Sequence, residues 1–212
     1  MYFKIVIKQL GVTDYAATYA AMQQFTKNRD AATPDEIWLT EHPAVYTHGL
    51  NRRDLKQPLR DDIPFVLTDR GGKTTYHGLG QIIIYPLLDL QRRNISVRQW
   101  VTILEQSMVG VLATEQISAY ALADAPGVYV DIKNVRHKIG ALGLRLKNGC
   151  CYHGLSLNVS MDLTPFSAID PCGYSGLKVT QCVDLGIKTS QNKIAFNLLE
   201  ALEQRLNQNE SN

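Results

Sequence analysis

The chain has 212 residues, 45% of them apolar, and a formal net charge of +2 from 22 basic and 20 acidic side chains. That length fits one large domain with a full core, here residues 1–212 with 207–212 as a flexible polar tail. The balanced charge carries no nucleic-acid signature, no apolar run approaches the roughly 20 residues of a membrane span, and the N-terminus lacks the apolar block of a leader. The expectation is a cytoplasmic protein with neither nucleic acid nor membrane as partner.

In chain order, Phe3, Ile5 and Ile7 alternate as in a strand. A helix is expected from Thr13–Asp14 to about Asn28, with Tyr15, Tyr19, Met22 and Phe25 at helical spacing. Short β-forming runs follow at 37–40 and 65–67, and the apolar segment 82–88 reads as a buried strand. A second helix starts at Ser96, where Gln99 three residues on completes a capping-box pattern. Its apolar face is Val97, Trp100, Val101, Leu104, Met108 and Val111. A strand is expected at 127–131. Segments 139–146 and 151–159 flank Lys147-Asn148-Gly149, a hairpin signal. That register puts Leu142, Leu144 and Leu146 on one face, and Leu155, Leu157 and Val159 on one face of the partner strand. A third helix runs from about Ser190 to Leu206 with Ile194, Leu198, Leu202 and Leu206 in one stripe. Helices do not alternate regularly with strands, so the fold class is α+β: mixed β-sheets flanked by helices.

The densest chemical signal is Arg70-Gly-Gly-Lys-Thr-Thr-Tyr-His-Gly-Leu-Gly-Gln81, with four glycines, a histidine and two cations in twelve positions. Such a segment running into a core strand suits the wall of a small-molecule pocket. Gly72-Lys73-Thr74 mimics the end of a phosphate loop, but position 67 is Leu and no helix follows. Gly78-Leu79-Gly80 fails as a dinucleotide fingerprint for the same reason.

Cysteines stand at 150, 151, 172 and 182, without paired zinc spacing. Cys172 lies in the turn-rich Asp170-Pro-Cys-Gly-Tyr-Ser-Gly176, where an exposed reactive thiol and a structural one are both open readings. A reactive thiol needs a nearby cation, and Lys138 and His77 are the candidates. His77 and His153 share a Tyr-His-Gly context that suggests two turns meeting one pocket, and a Cys–His hydrolase is a second reading.

Taken together these blocks resemble the lipoate-protein ligase B family, the octanoyl-[acyl-carrier-protein]:protein N-octanoyltransferases. The resemblance rests on Arg70 to Gln81, Ala123-Asp-Ala-Pro-Gly-Val-Tyr-Val130, Lys138-Ile-Gly-Ala-Leu-Gly-Leu-Arg145, His153-Gly-Leu-Ser-Leu-Asn-Val159 and Pro171-Cys-Gly-Tyr174, in family order over roughly residues 36 to 184. It implies the catalytic-domain fold shared by biotin and lipoate protein ligases. It implies transfer of an octanoyl or lipoyl group from acyl carrier protein to a lysine of lipoyl domains, those of 2-oxoacid dehydrogenase E2 subunits and the glycine cleavage H protein. It implies no cofactor, neither ATP nor metal. Cys172 falls on the family's thioester nucleophile and Lys138 on its lysine partner. Substrate contacts fall on Arg70, Gly71, Gly72, Lys73, Thr74, Thr75, Tyr76 and His77, on Ala141, Leu142 and Gly143, and on Gly154, Leu155 and Ser156.

Two local expectations accompany the resemblance. Ala141 stands where relatives often have Ser, and the chain looks longer than relatives between Val130 and Lys138, leaving a loop around Lys133 to His137. For the chemistry, the glycines of 70–80 would leave room for the acyl chain. Backbone N–H groups near Gly143 or around Cys172 would meet the oxyanion. A basic rim of Arg52, Arg53, Arg92, Arg93 and Arg136 would attract an acidic carrier protein. An ATP-dependent ligase and a non-enzymatic acyl-binding domain are the further rivals.

Overall fold

The computed structural model describes residues 4–52, 55–169 and 176–209; Cys172 and Arg53 lie outside the described residues. The larger sheet runs in the order β1 (Ile5–Val12), β2 (Asp35–Glu41), β6 (Gln81–Asp89), β10 (Cys150–Asn158), β9 (Val135–Lys147), β8 (Val128–Ile132) and β7 (Ala119–Ala121). A short strand, β11 (Lys178–Val179), pairs parallel with His137 and Lys138 at the start of β9. The smaller sheet is β4 (Phe65–Leu67), β3 (Val45–His48) and β5 (Thr74–His77). Mixed sheets with flanking helices make the fold α+β, as the irregular alternation of elements requires.

Alternation along β6 divides the core into layers. Ile82, Ile84 and Leu88 join the large apolar cluster under helices α2 (Val97–Thr114) and α3 (Gln191–Asn209), with Trp100 fully buried at its centre. Ile83, Tyr85 and Leu87 face the other way, onto Met22 of α1 (Tyr15–Asn28) and Trp38 of β2. Tyr46, Ile63, Tyr76 and Phe166 form a third cluster beneath the small sheet.

The local signals fold as their chemistry dictates. Asp14 caps α1 by accepting from the Ala17 N–H at 2.8 Å. Ser96 and Gln99 exchange both bonds of a capping box at the start of α2. Asn148 and Gly149 both take positive φ, 51° and 78°, the two-residue turn that matches strand twist. Leu142 pairs with Leu155 in the resulting hairpin. The expected loop at 133–137 is instead a second tight turn. Lys133 and Asn134 take φ of 51° and 62°, and Val135 to His137 already belong to β9.

The basic pair Arg92–Arg93 departs from the surface reading. Arg93 is 3% exposed and donates Nε to Asp35 at 2.6 Å. Arg92 and Arg29 reach the same carboxylate at 2.8 and 2.5 Å, and Asp35 is fully buried. Neither Arg92 nor Arg93 is a rim residue: a single carboxylate draws both inward and ties the end of α1 to the start of β2 and the end of β6. Of the proposed rim, Arg52 and Arg136 remain on the surface.

Removing one partner of a buried ion cluster leaves the others uncompensated. Asp35→Ala is expected to lower the unfolding free energy by about 3–5 kcal/mol in urea titration, while Arg52→Ala shifts it by less than about 0.5 kcal/mol.

Candidate active site

A cleft opens between the two sheets, enclosing about 500 Å³ of atom-free space, part of it open to solvent. Its roof comes from the small sheet and the loop before it: Arg70, Gly72, Lys73, Thr75 and His77. Its floor is the sheet face of Ile83, Tyr85, Ala141, Leu142, Gly143, His153, Gly154, Leu155 and Ser156, and Tyr15 closes one side. The site residues expected from the sequence divide accordingly. Gly71, Thr74 and Tyr76 do not line the cleft. The Gly71 N–H donates to the Leu144 carbonyl at 2.7 Å, the Thr74 hydroxyl bonds His48 Nδ1 at 2.8 Å, and Tyr76 packs against Tyr46 and Phe166.

Arg70 builds the roof. Its guanidinium donates to the carbonyls of Thr47, Gly71 and Lys73 at 2.7, 2.9 and 2.9 Å and to Thr47 Oγ1. The loop can lie this close to the floor because Gly143 has no side chain; a Cβ there would meet Arg70 Cδ at 3.0 Å. The glycines of 70–80 have different places. Gly72 lines the cleft, but Gly80 serves a turn, where a Cβ would fall 1.8 Å from the Ser160 carbonyl oxygen. The space comes from short side chains on the floor, with Ala141 and Ser156 directly paired across β9 and β10.

The histidines and tyrosines lining the cleft are held neutral. Burial pushes His77 down to about 3, against the bond its Nδ1 makes to Gln81 Oε1 at 2.7 Å. The Gln81 amide goes on to Asn158, Asn158 to the Thr180 carbonyl, and the Thr180 N–H to the Lys138 carbonyl. Burial also lowers His153, which pairs with Asp69 at 3.2 Å. His153 takes φ of 58° where Pro86 interrupts the β6–β10 pairing, and it stacks between Tyr19 and Tyr152. Both Tyr-His-Gly histidines thus meet one pocket through unlike backbones. Desolvation raises Tyr15 to about 12.

A small chamber with room for about one water molecule adjoins the cleft, sharing Thr75, Ala141 and Ser156, and Lys138 lines it with Gln81, Asn158, Phe166 and Val179. Lys138 is 5% exposed; its Nζ donates to the Pro126 carbonyl at 3.1 Å and stands 5.3 Å from the Tyr129 ring centre. Cys150, Cys151 and Cys182 are buried and line neither chamber. Desolvation raises all three thiols, Cys151 and Cys182 to about 12. Among the described residues, no three His, Cys, Asp or Glu side chains are grouped as metal ligands, and no helix is long and apolar enough to cross a membrane.

The sequence profile of the family described as "Lipoyl protein ligase A/B catalytic domain" matches residues 14–202. The chain belongs to that family. A relative named octanoyltransferase, from Dechloromonas aromatica, is 53% identical over 204 residues, 96% of this chain and 97% of that one. Kinship at this level makes the chain an acyltransferase. Among solved structures, the fold is similar to the bipartite lipoate protein ligase of Thermoplasma acidophilum, with a TM-score of 0.76 at 13% identity over 97% of this chain and 85% of that one. It is also similar to the biotin protein ligase of Aquifex aeolicus, with a TM-score of 0.56 at 13% identity over 99% and 72%. At these identities the structures speak for the fold.

Three lining residues escaped the sequence reading, Tyr15, Ile83 and Tyr85, while His153 was expected at the pocket but not among the substrate contacts. The alternation of β6 could have paired Ile83 with Tyr85, but nothing local marks Tyr15, which arrives from α1.

The folded protein takes up no proton on His77 until about pH 3, whereas the unfolded chain takes one up near 6.5. The folded value is depressed, so this group costs stability as pH falls from 6.5 toward 3. His77→Gln should make the stability–pH curve shallower in that window, by up to about 1.4 kcal/mol per pH unit, as read by urea unfolding at several pH values.

Proposed function

We propose that the protein transfers an octanoyl or lipoyl group from acyl carrier protein to a specific lysine of lipoyl domains, through a thioester on Cys172. The acceptors would be the lipoyl domains of 2-oxoacid dehydrogenase E2 subunits and the glycine cleavage H protein, in the cytoplasm. Relatives bearing the octanoyltransferase name support the acyl group. The observation that carries the reading is the β11 tether: Val179, seven positions after Cys172, is the register partner of Lys138. Seven residues span at most about 25 Å, so the tether keeps Cys172 within that reach of the lysine that would serve it. The other cysteines, buried and with raised thiols, are poor nucleophiles.

The resting pair is a Cys172 thiolate beside a Lys138 ammonium. The thiolate attacks the donor thioester carbonyl, the new C–S bond forms, and the carrier thiol leaves with the Lys138 proton. The acceptor amine then attacks the acyl-Cys172, and its surplus proton passes to the now neutral Lys138. Collapse expels the Cys172 thiolate and restores the pair. Exchange between thioesters is nearly balanced and thioester to amide is downhill, so the scheme requires neither ATP nor metal. Arg70, Gly71, Gly72, Lys73, Thr74, Thr75, Tyr76 and His77 would form and hold the roof over the acyl chain, and Ala141 to Gly143 with Gly154 to Ser156 its floor.

Incubation with octanoyl-carrier protein, without ATP, should add one octanoyl group to the intact mass, mapped to Cys172 by peptide analysis. Cys172→Ala should show no adduct and no transfer. A normal rate in that variant overturns the covalent scheme, and a strict need for ATP with free acid overturns the donor. Filling the floor with Ala141→Leu should cut transfer of the eight-carbon group by roughly tenfold or more relative to a four-carbon group, as measured by competition between the two donors.

A further inference from the structure

Among the described residues, the surroundings of Lys138 contain one buried acid that the reaction scheme does not use. Glu105, on α2, is 7% exposed, and its Oε1 accepts the Gly127 N–H at 2.9 Å. Gly127 N and the Pro126 carbonyl belong to one peptide bond, and that carbonyl accepts from Lys138 Nζ at 3.1 Å. The N–H and C=O of a trans amide point in opposite directions, so the carboxylate and the ammonium flank a single peptide plane. A carboxylate on the N–H side polarises the amide and makes its oxygen a stronger acceptor for a cation.

We infer that Glu105 is a positioning residue that acts through the Pro126–Gly127 peptide to hold Lys138 in place and to favour its ammonium form. This rests on the reading of Lys138 as the proton-transferring group. Two further observations support it. Gly127 takes φ of 138°, and a Cβ there would stand 2.5 Å from Lys138 Cε, so the peptide is packed directly on the lysine stem. Burial raises the Glu105 carboxyl above its ordinary value, and the Gly127 N–H and Lys138 both act against that rise.

The other titratable or charged groups on the packed elements have different places. Tyr129 of β8 offers its ring face to Lys138 and donates its hydroxyl to the Ala125 carbonyl. Arg136 of β9 lies 5.9 Å from the same ring, and His137 is the neighbour of Lys138 in β9. Lys178 of β11 is exposed and pairs with His137, and Asp124 in the turn before Pro126 is exposed. Residues 170–175 lie outside the described residues.

The test replaces the charge and keeps the hydrogen bond. In Glu105→Gln the side-chain oxygen can still accept from Gly127, but the carboxylate charge is gone. With 13C-labelled lysine, the Lys138 Cε resonance, assigned by its loss in Lys138→Ala, should titrate about one pH unit lower in Glu105→Gln than in the unaltered protein. The alkaline limb of the acylation rate should move down by the same amount, with little change in KM. An unchanged Lys138 midpoint overturns the inference. Glu105→Asp, which draws the carboxylate back from the peptide, should shift the midpoint the same way and decides the question if the Gln variant does not fold. Lys138→Ala separates the two claims: normal transfer in that variant removes the proton-transfer reading, whereas lost transfer with an unmoved midpoint in the Glu105 variants removes only the role of Glu105.

Discussion

Arg70 is the interaction on which the cleft depends. A buried guanidinium must find acceptors, and the chain supplies three carbonyls and a hydroxyl from Thr47, Gly71 and Lys73. Thr47 belongs to β3, and Lys73 leads directly into β5, so one cation gathers the small sheet and the loop before it into a single roof. The Gly71–Leu144 hydrogen bond then sets that roof on β9, and the absence of a side chain at Gly143 sets how near it comes. Without the guanidinium, three inward-pointing carbonyls would lose their shared donor, and the roof would have no reason to keep its height above the floor.

Much of the lining of the larger chamber is uncharged, although Arg70 and Lys73 belong to it, and this suits an apolar guest. Around the larger chamber His77, His153, Tyr15 and Tyr85 are all held in their neutral forms, chiefly by desolvation. Asp69 stays ionised behind His153, where bonds from His153, Tyr152 and Tyr19 outweigh the burial that opposes its charge. Lys138 lines the smaller chamber. Ala141 and Ser156 belong to both, so the strip where the chambers join is lined by the shortest side chains of the floor.

What was legible in the sequence was what is settled locally. The Asp14 cap, the Ser96–Gln99 box, the Asn148–Gly149 turn and the apolar stripes each depend on residues within a turn or two of one another. Apart from β4 at 65–67, the shortest strands were not legible. β3, β5 and β11 have two to four residues each and exist because a partner distant in the chain is there to pair with them. Arg92 and Arg93 were misread for a related reason: their carboxylate is 57 and 58 positions away, and no local pattern marks a cation as buried. The glycine-rich segment lies at the pocket, but its glycines differ, Gly72 lining the cleft and Gly80 closing a turn, and both uses leave the same mark in a sequence. Glu105 looked like any polar residue in an amphipathic helix, and only the fold sets it against Gly127.

The two tryptophans sit on opposite sides of one sheet, Trp100 on α2 and Trp38 on β2 beneath α1. Their surroundings are unlike: Trp38 donates its ring N–H to Glu36 at 2.5 Å and lies 5.7 Å from Lys8 Nζ, while Trp100 is enclosed by aliphatic side chains. Each layer of the molecule therefore carries its own intrinsic fluorophore, one in a charged setting and one in a hydrocarbon-like setting. Emission spectra of single-tryptophan forms would tell whether the two faces come apart together or in sequence.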